Sequence, residues 1–273
     1  MSDTGTRYDL VTFTTDFGLD DSYVAICKAV LARFAPHARV LDVTHQVPPQ
    51  DVRRGARVLA RTVPWCPPAV HLAVVDPGVG TARRAVAVRA GESVLVGPDN
   101  GLLVPAAERL GGVAEAVALT EESLFLQPVS ATFHGRDVFS PTAGRLASGT
   151  PLGSFGSAVD PASLVRLPEP RPEVADGSLA TEVVDVDTYG NVCVAGTQDD
   201  LARAGLADVP AVAVAVGERR ETAVRARSYG GVPAGALLVY VDSNGSLELA
   251  VNGGSAAREL SVRTGDPVTL TRP

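Results

Sequence analysis

The sequence lacks the features that mark several large protein classes. Its 273 residues include only three cysteines, at Cys27, Cys66 and Cys193, and no Cys-x-x-Cys pair. Cysteines so far apart fit neither a disulfide framework nor a zinc site. The net charge of −7 is the opposite of the basic excess that nucleic-acid-binding proteins carry. The composition therefore predicts a protein that has no nucleic-acid partner.

Long apolar runs are also missing. No stretch of the sequence is apolar over the length that a bilayer-spanning helix requires. The first nine residues contain no apolar signal segment. These absences predict a soluble cytoplasmic protein with no membrane partner. The chain is nevertheless long enough to bury a sizeable core and to form two domains.

Several well-known catalytic motifs are absent as well. Gly78 and Gly80 are not followed by the Gly-Lys-Ser/Thr of a phosphate loop, and no Gly-x-Ser-x-Gly nucleophile elbow is present. No paired-histidine or calcium-loop spacing occurs. Acids and histidines that could in principle bind Mg²⁺ or Zn²⁺ are Asp16, Asp20, Asp21, His45, Asp76 and His134. A metal-assisted hydrolase is therefore only a minor interpretation, and we expect neither a metal nor a cofactor.

The first part of the chain alternates between strand and helix patterns. Residues 10–15 predict a first strand, and Pro36 ends the helix that follows it. The apolar stripe of that helix is Tyr23, Ile26, Cys27, Val30, Leu31 and Phe34. Asp51 is expected to cap a second helix. Alternating elements of this kind predict an α/β domain over residues 1–165, with a mostly parallel sheet flanked by helices.

The pattern changes after a stiff, proline-rich segment, residues 166–178, which we interpret as a linker. Helix signals nearly vanish beyond it. The later strands predict an all-β, barrel-like domain over residues 179–273. Between the last two predicted strands, the sequence Ser243-Asn244-Gly245-Ser246 predicts a type I′ hairpin turn.

The stretch of residues 74–84 places an acid at the end of a buried strand. Asp76 follows this strand directly and is followed by a loop rich in proline and glycine, with Arg83 beyond it. In open α/β sheets, ligands bind just past the carboxyl ends of the strands. A strand-end aspartate also commonly caps its own turn. From this stretch alone, both interpretations remain open.

Two further stretches concentrate polar residues. Asp16, Asp20 and Asp21 crowd the loop before the first helix, although one acid is enough to cap a helix. The acids beyond the one that a cap requires point to a functional role for this loop. His134 lies between Phe133 and Gly135-Arg136-Asp137, in a loop that leads into a helix predicted over residues 142–147. These neighbours make it a better catalytic candidate than His37 or His71.

Read together and in order, the motifs resemble one protein family. They are Thr14-Thr15-Asp16-Phe17-Gly18, Asp76-Pro77-Gly78-Val79-Gly80-Thr81, Pro98-Asp99-Asn100-Gly101, Thr132-Phe133-His134-Gly135-Arg136-Asp137, Gly190-Asn191 and Ser243-x-Gly245-x-Leu247-Glu248. The chain is similar over nearly its whole length to the S-adenosyl-L-methionine hydrolases, also called S-adenosyl-L-methionine hydroxide adenosyltransferases, which are relatives of fluorinase and chlorinase. The resemblance implies an N-terminal α/β domain, a C-terminal β-barrel, and a homotrimer with active sites between neighbouring subunits.

Within that superfamily, Asp76, Arg83 and His134 match the hydrolases. Fluorinase and chlorinase carry a tyrosine where this chain has Asp76, and their halide pocket lacks the histidine. An ionised aspartate would repel a halide ion, so the residues favour water as the nucleophile. We therefore expect hydrolysis of S-adenosyl-L-methionine to adenosine and L-methionine by in-line attack on the ribose C5′. His134 is the natural proton acceptor near neutral pH, although a coupled Asp–Arg–His set titrates as a unit.

The resemblance also implies substrate contacts. A carboxylate beside the sulfonium would stabilise the ground state more than the transition state, so Asp16 is expected at the ribose hydroxyls instead. The further expected substrate-binding residues are Asp21 and Asp187 (methionine amino group), Asn191 (adenine edge), Tyr189 (adenine ring), Ser243 (carboxylate), Glu248 and Val251. Two structural alternatives stay open, a hairpin turn for Ser243 and an exposed strand position for Glu248.

Two other functions remain alternatives to hydrolysis. The same scaffold serves a halide adenosyltransferase, which would incorporate chloride. A nucleoside-binding module without catalysis would bind adenosine and turn nothing over.

Overall fold

The computed structural model describes residues 5–273. Residues 1–4, part of the stretch predicted to lack a signal segment, lie outside the described residues. The chain divides into two compact units, Met1–Leu167 and Pro168–Pro273. We call them the N-terminal unit and the C-terminal unit.

The N-terminal unit is built on a six-stranded sheet with the order β2-β1-β3-β5-β4-β6. Its strands are β1 (Leu10–Thr15), β2 (Arg39–Thr44), β3 (Val70–Val74), β4 (Ala85–Ala90), β5 (Ser93–Pro98) and β6 (Glu115–Ala118). The pairs β1–β2, β1–β3 and β3–β5 are parallel. β4 is antiparallel to both its neighbours. A two-residue turn joins β4 to β5, and so short a connection allows only antiparallel pairing.

Helices cover both faces of this sheet, as predicted. They are α1 (Tyr23–Phe34), α2 (Val52–Thr62), α3 (Val104–Arg109) and α4 (Ser140–Ala147). Alternate residues of β3 belong to different hydrophobic clusters: Leu72 packs with residues of α1 and α4, and Ala73 with residues of α2 and α3. Successive strand side chains point to opposite faces. The pairs α1/α4 and α2/α3 therefore lie on opposite sides of the sheet.

The helical segment after His134 begins earlier than the sequence predicts. A π-helical turn, Gly135–Phe139, runs directly into α4, whereas the predicted helix covers only residues 142–147. Pro141 has no N–H to donate back to Asp137, and the Asp137 carbonyl accepts from the Leu126 N–H instead, at 2.9 Å. The Ser140 hydroxyl donates to the Gly135 carbonyl at 2.6 Å. These contacts favour the wider π-helical turn over a regular α-helical turn at Gly135–Phe139.

The C-terminal unit is a barrel of seven strands, closed by pairing between β8 and β14. Its strands are β7 (Glu173–Ala175), β8 (Ser178–Val186), β9 (Val192–Val194), β10 (Ala211–Val216), β11 (Arg219–Arg225), β12 (Leu237–Val241), β13 (Leu247–Val251) and β14 (Pro267–Thr271). β7 extends the sheet beyond β8 and lies within the segment interpreted as a linker. Around the barrel only the β11–β12 pair is parallel.

This unit also contains two short helices that the sequence pattern does not predict, α5 (Gln198–Arg203) and α6 (Ala256–Leu260). Both begin with a side-chain cap. Thr197 and Asp200 form a reciprocal capping box at α5, and the Ser255 hydroxyl accepts from the Arg258 N–H at α6. The caps are visible in the sequence, but the helices are too short for an apolar stripe to reveal them.

Candidate active site

Adjacent parallel strands bring the two strand-end acids to one edge of the N-terminal sheet. β1 pairs with β3 so that Thr15 lies beside Val74, and Asp16 and Asp76 follow shortly after these residues. Both acids line one cavity of about 230 Å³, together with His134. The location past the carboxyl ends of the strands agrees with the general rule for open α/β sheets.

Arg83 joins Asp76 and His134 into one hydrogen-bonded cluster. Its Nε donates to Asp76 Oδ1 at 2.9 Å and to Oδ2 at 3.1 Å. Its Nη2 also donates to Asp76 Oδ2 and to His134 Nδ1, the latter at 2.9 Å. The side chains of Arg83 and Asp76 are 11% and 6% exposed. The three residues predicted to be catalytic are therefore joined through Arg83, and the Asp76 carboxylate pairs with that guanidinium.

The bond from Arg83 determines which nitrogen of His134 is protonated. A guanidinium only donates, so His134 Nδ1 accepts and the neutral ring carries its proton on Nε2. Burial lowers the pKa of His134, and the positive charge of Arg83 lowers it further, against an opposing effect of Asp76. His134 is accordingly neutral at pH 7, with its Nε2–H available as a hydrogen-bond donor.

Gly80 allows the loop after Asp76 to approach the segment before His134. Its φ is +75°, a conformation that favours glycine. A Cβ at this position would lie 2.4 Å from the carbonyl oxygen of Ala131. A side chain at this position would push the loop away from Ala131.

Arg84, next to Arg83, makes a different set of contacts. Its Nε donates to Asp99 Oδ2 at 2.7 Å, and its Nη2 donates to the Ser163 carbonyl at 2.5 Å. Asn100 donates from Nδ2 to the Val75 carbonyl at 2.9 Å. The Pro98-Asp99-Asn100-Gly101 motif therefore supports the end of β3 beneath Asp76, and the two arginines have distinct roles.

The acids before α1 do not cap that helix. Its N-cap residue, Ser22, makes no side-chain cap, and no acid lies in the first turn. Asp16 Oδ2 instead accepts from the Gln50 N–H at 2.8 Å, and Gln50 has a left-handed φ of 66°. Asp21 is exposed. The capping interpretation of these acids is thus wrong at α1.

Three aromatic rings beside the cavity were not predicted as site residues. Phe133 lies 5.9 Å from Phe17 and 5.2 Å from Tyr23 between ring centroids, both edge-to-face. Phe17 and Phe133 line the cavity itself. Their positions next to Asp16 and His134 in the sequence are the signal that could have identified them.

In the C-terminal unit, Asp187 holds the loop that carries Tyr189 and Asn191. Asp187 Oδ1 accepts from the N–H groups of Tyr189 and Asn191 at 2.9 and 2.8 Å. Its Oδ2 accepts from Asn191 Nδ2 at 2.7 Å. Both carboxylate oxygens therefore organise the loop. Tyr189 is 79% exposed, which leaves its side chain accessible for stacking.

A chain of hydrogen bonds runs from Asn191 to Glu248. Asn191 Nδ2 donates to the Tyr229 hydroxyl at 3.0 Å, the Tyr229 and Tyr240 hydroxyls are 2.7 Å apart, and Tyr240 donates to Glu248. Burial, followed by the bond to Glu248, raises the pKa of Tyr240. Glu248 is buried, so the exposed-strand interpretation is wrong. Sequence reasoning missed both tyrosines, although the hairpin register places Tyr240 opposite Glu248.

Ser243 lies in the hairpin turn, and Val251 is buried at the end of β13. The turn is held by Asp242, whose Oδ1 accepts from the Asn244 and Ser246 N–H groups, both at 2.8 Å. Gly245 has a φ of 83°, whereas Asn244 is not among the residues of positive φ. A type I′ turn needs positive φ at both central residues, so that assignment is wrong.

Among residues 5–273, no group of three or more His, Cys, Asp and Glu side chains is placed to hold a metal ion. Within the same residues, no helix combines the length and the apolar character needed to cross a membrane.

Comparison with known families agrees with this geometry. Residues 11–156 match the model of the SAM hydroxide adenosyltransferase N-terminal domain, and residues 181–269 match the model of the C-terminal domain. The chain belongs to the SAM hydroxide adenosyltransferase family. The family resemblance and the fold class expected from the sequence, an α/β domain followed by a β-barrel, are thereby confirmed.

Members of the family with curated names cover almost the whole chain. The (R)-S-adenosyl-L-methionine hydrolase of Salinispora tropica is 56% identical over 263 residues, 96% of this chain and 97% of that protein. The protein of the same name from Thermus thermophilus is 45% identical over 267 residues, 95% of this chain and 98% of its own. A fluorinase from an Actinoplanes species is 26% identical over 304 residues, 96% and 97% of the two chains.

Two solved structures are similar to nearly the whole chain as well. An uncharacterised conserved protein from Thermotoga maritima has a TM-score of 0.89 and 40% identity, covering 96% of this chain and all of its own. A conserved hypothetical protein from Thermus thermophilus has a TM-score of 0.73 and 41% identity, covering 97% of this chain and all of its own.

Proposed function

We propose that the protein hydrolyses (R)-S-adenosyl-L-methionine to adenosine and L-methionine. The observation that carries the proposal is the contact of Arg83 with both Asp76 and His134, beside Asp16 in one cavity. Two relatives more than 40% identical over nearly the full chain are named for this hydrolysis. Their names specify the R sulfonium, which the sequence alone does not indicate.

The reaction requires little help for its leaving group. When water or hydroxide attacks the ribose C5′ in line with sulfur, the C5′–S bond breaks and its electron pair neutralises the sulfonium. Methionine leaves without needing a proton. The barrier lies in the nucleophile, because free water has a pKa of about 15.7. The residues of the cluster therefore act on the water.

His134 and Arg83 are arranged to stabilise a hydroxide. Neutral His134 presents its Nε2–H as a donor, and a fixed donor aimed at an oxyanion is worth about 10²–10³-fold in rate. The carboxylate of Asp76 balances the charge of Arg83, and its two bonds fix the guanidinium. The sulfonium itself adds a positive charge that favours hydroxide over water. Holding this oxygen in line with the C–S bond lowers the barrier further.

Asp16 and Asp21 are proposed to bind the substrate away from sulfur. Asp16 lines the cavity and accepts a backbone N–H from Gln50, which fixes its carboxylate. We assign it to the ribose hydroxyls and Asp21 to the methionine amino group. A carboxylate in contact with sulfur would lose its attraction as the charge fades, and so would slow the reaction.

The C-terminal unit is proposed to bind the adenine and the methionine end. Asn191 hydrogen-bonds the adenine edge, the exposed Tyr189 ring stacks on it, and Ser243 binds the carboxylate. Because Asp187 bonds the Asn191 side chain, its proposed contact with the amino group is secondary to positioning Asn191. Glu248 is likewise proposed to act through the two tyrosines, while Val251 contributes a backbone contact.

The assembly and location are also proposals. The family resemblance supports a homotrimer with active sites between neighbouring subunits and no cofactor. The three cysteines form no disulfide, as in proteins of reducing compartments, which supports the cytoplasm. Light scattering on the eluting protein tests the trimer, which has three times the chain mass of 28.2 kDa.

A chromatographic product assay tests the function. Purified protein is incubated with (R)-S-adenosyl-L-methionine, with and without excess chloride and with a chelator. Wild-type protein is expected to give adenosine and methionine in all cases. His134→Ala is expected to lose at least about 10²-fold in kcat. His37→Ala is the matched control, because His37 bonds the Tyr8 and Ala147 carbonyls away from the cluster.

The alternatives give distinct results. A chlorinated nucleoside would show a halide adenosyltransferase, and loss of turnover with the chelator would show metal-assisted hydrolysis. Bound adenosine without any product from the substrate would leave a nucleoside-binding module and contradict the proposal.

A further inference from the structure

A second cavity of about 620 Å³ lies in the N-terminal unit beside the same cluster. Arg83 and His134 line it, whereas Asp76 lines the smaller cavity and is not on the lining of the larger one. His134 borders both cavities. The Arg83–Asp76 ion pair therefore spans the boundary between the two, with one partner on each side.

The chemistry at His134 needs such a second space, provided that the proposed hydrolysis is correct. Each turnover forms a C5′–O bond, breaks the C5′–S bond with its electrons going to sulfur, and releases one proton from the water. In-line attack places the incoming oxygen on the side of C5′ opposite sulfur. A substrate that fills the smaller cavity therefore closes that cavity as a route for water and for the released proton.

We propose that the larger cavity is a water channel that delivers the nucleophile to His134 and removes the proton. Its polar lining includes the side chains of Thr81, Thr120 and Gln127, and the exposed Glu122 lies on the same lining. These groups hydrogen-bond water between the cluster and solvent. Apolar residues such as Leu119 and Val138 form much of the remaining lining, so the waters are held by few partners and exchange readily.

The experiment blocks the channel in protein that is already folded. In a Cys66→Ser background, Thr120→Cys and Gln127→Cys each place a thiol at an exposed position on the cavity lining. Benzyl methanethiosulfonate then attaches a benzyl group that a reductant removes. We expect the label at either site to lower kcat at least tenfold and to raise the solvent deuterium isotope effect on kcat. KM is expected to stay within twofold, and reductant is expected to restore kcat.

Ser123→Cys, labelled in the same way, is the matched control. Ser123 is exposed and close in sequence to Thr120, but it does not line the cavity, so its label is expected to leave kcat unchanged. Mass spectrometry verifies labelling at each site.

Two results would overturn the channel while leaving the hydrolysis intact. The first is full kcat with a labelled cavity. The second is a large rise of KM at constant kcat, which would mean that the cavity binds part of the substrate. If unlabelled protein produced no adenosine, the proposed function itself would fail, and the channel with it.

Discussion

Arg83 is the residue on which the cluster depends, because it contacts both of the other members. Replacing it by glutamine removes the positive charge that lowers the pKa of His134 and leaves the opposing effect of Asp76. We expect Arg83→Gln to raise the pKa of His134, so that the ring gains a proton at a higher pH than in the wild type. Titration of the histidine ring signals by NMR measures this shift.

The same substitution is expected to lower kcat by about 10²-fold or more, as the loss of a preorganised donor does. The loss should deepen as the pH falls toward the raised pKa, because protonated His134 repels the sulfonium. Arg89→Gln is the matched control, since Arg89 bonds Glu115 rather than the cluster and lines neither cavity. An unchanged or lower His134 pKa in Arg83→Gln would show that the guanidinium does not act on the ring.

For single residues, the sequence is informative where a short motif identifies the residue. It gives no signal where packing between elements determines the contacts of the residue. Asp76 and His134 stand in short motifs at predicted element ends, and the structure brings them together through Arg83. Glu248 follows the alternating pattern of a strand, and no pattern in one strand shows that Tyr240 on the next strand bonds its carboxylate. The tautomer of His134 also needs the structure, because it depends on a contact 51 positions away in the chain.

Within the central strand β3, His71 makes the N-terminal unit sensitive to acid. The residue is 1% exposed, and its Nδ1 lies 2.8 Å from the Thr12 hydroxyl. Burial lowers the pKa of His71 from 6.5 to about 4. Between these values the unfolded chain binds a proton that the folded chain does not, so stability falls as the pH falls. The loss amounts to about 3 kcal/mol by pH 4.

The prediction is tested with His71→Asn, whose amide retains a partner for Thr12. The variant is expected to show a smaller decrease in unfolding free energy between pH 6.5 and 4 than the wild type, whatever its stability at pH 7. Urea unfolding followed by circular dichroism at several pH values gives both curves. Parallel curves would mean that His71 does not contribute to the acid sensitivity.

Most elements with a clear apolar period are predicted from the sequence. β14 is an exception, because it is not predicted although Val268 and Leu270 alternate with polar residues. α1 has a stripe of buried residues and agrees with its predicted range. β11 has only one fully buried residue, Ala223, in a run of arginines and polar residues, and escapes detection. The orientation of β4 likewise depends on a two-residue turn rather than on the pattern of the strand.

The proposed sharing of active sites between subunits of the whole molecule is testable by complementation. His134→Ala and Asn191→Ala each remove a residue of the proposed site, one from each unit of the chain. If a site combines His134 of one subunit with Asn191 of a neighbour, a mixed trimer contains about one intact site in three. Co-expression with two different tags, followed by purification on both, is expected to recover about a third of the wild-type kcat.

Mixing His134→Ala with Asp76→Ala is the matched control. Both residues belong to the N-terminal unit, so every site in such a trimer has one defect and no activity should return. Absence of recovery in the first mixture, with trimers present, would place each site within a single chain.

The barrel of the C-terminal unit has an odd number of strands. A closed ring in which every strand ran opposite to its neighbours would need an even number of strands. This ring has seven, so one adjacent pair has to run in the same direction, and that pair is β11–β12. The chain must therefore travel back along the barrel between Arg225 and Leu237, and this return segment carries Tyr229 to its position against Tyr240 and Asn191. The odd number of strands thus accounts for the return segment whose Tyr229 hydroxyl accepts a hydrogen bond from Asn191, the proposed adenine contact.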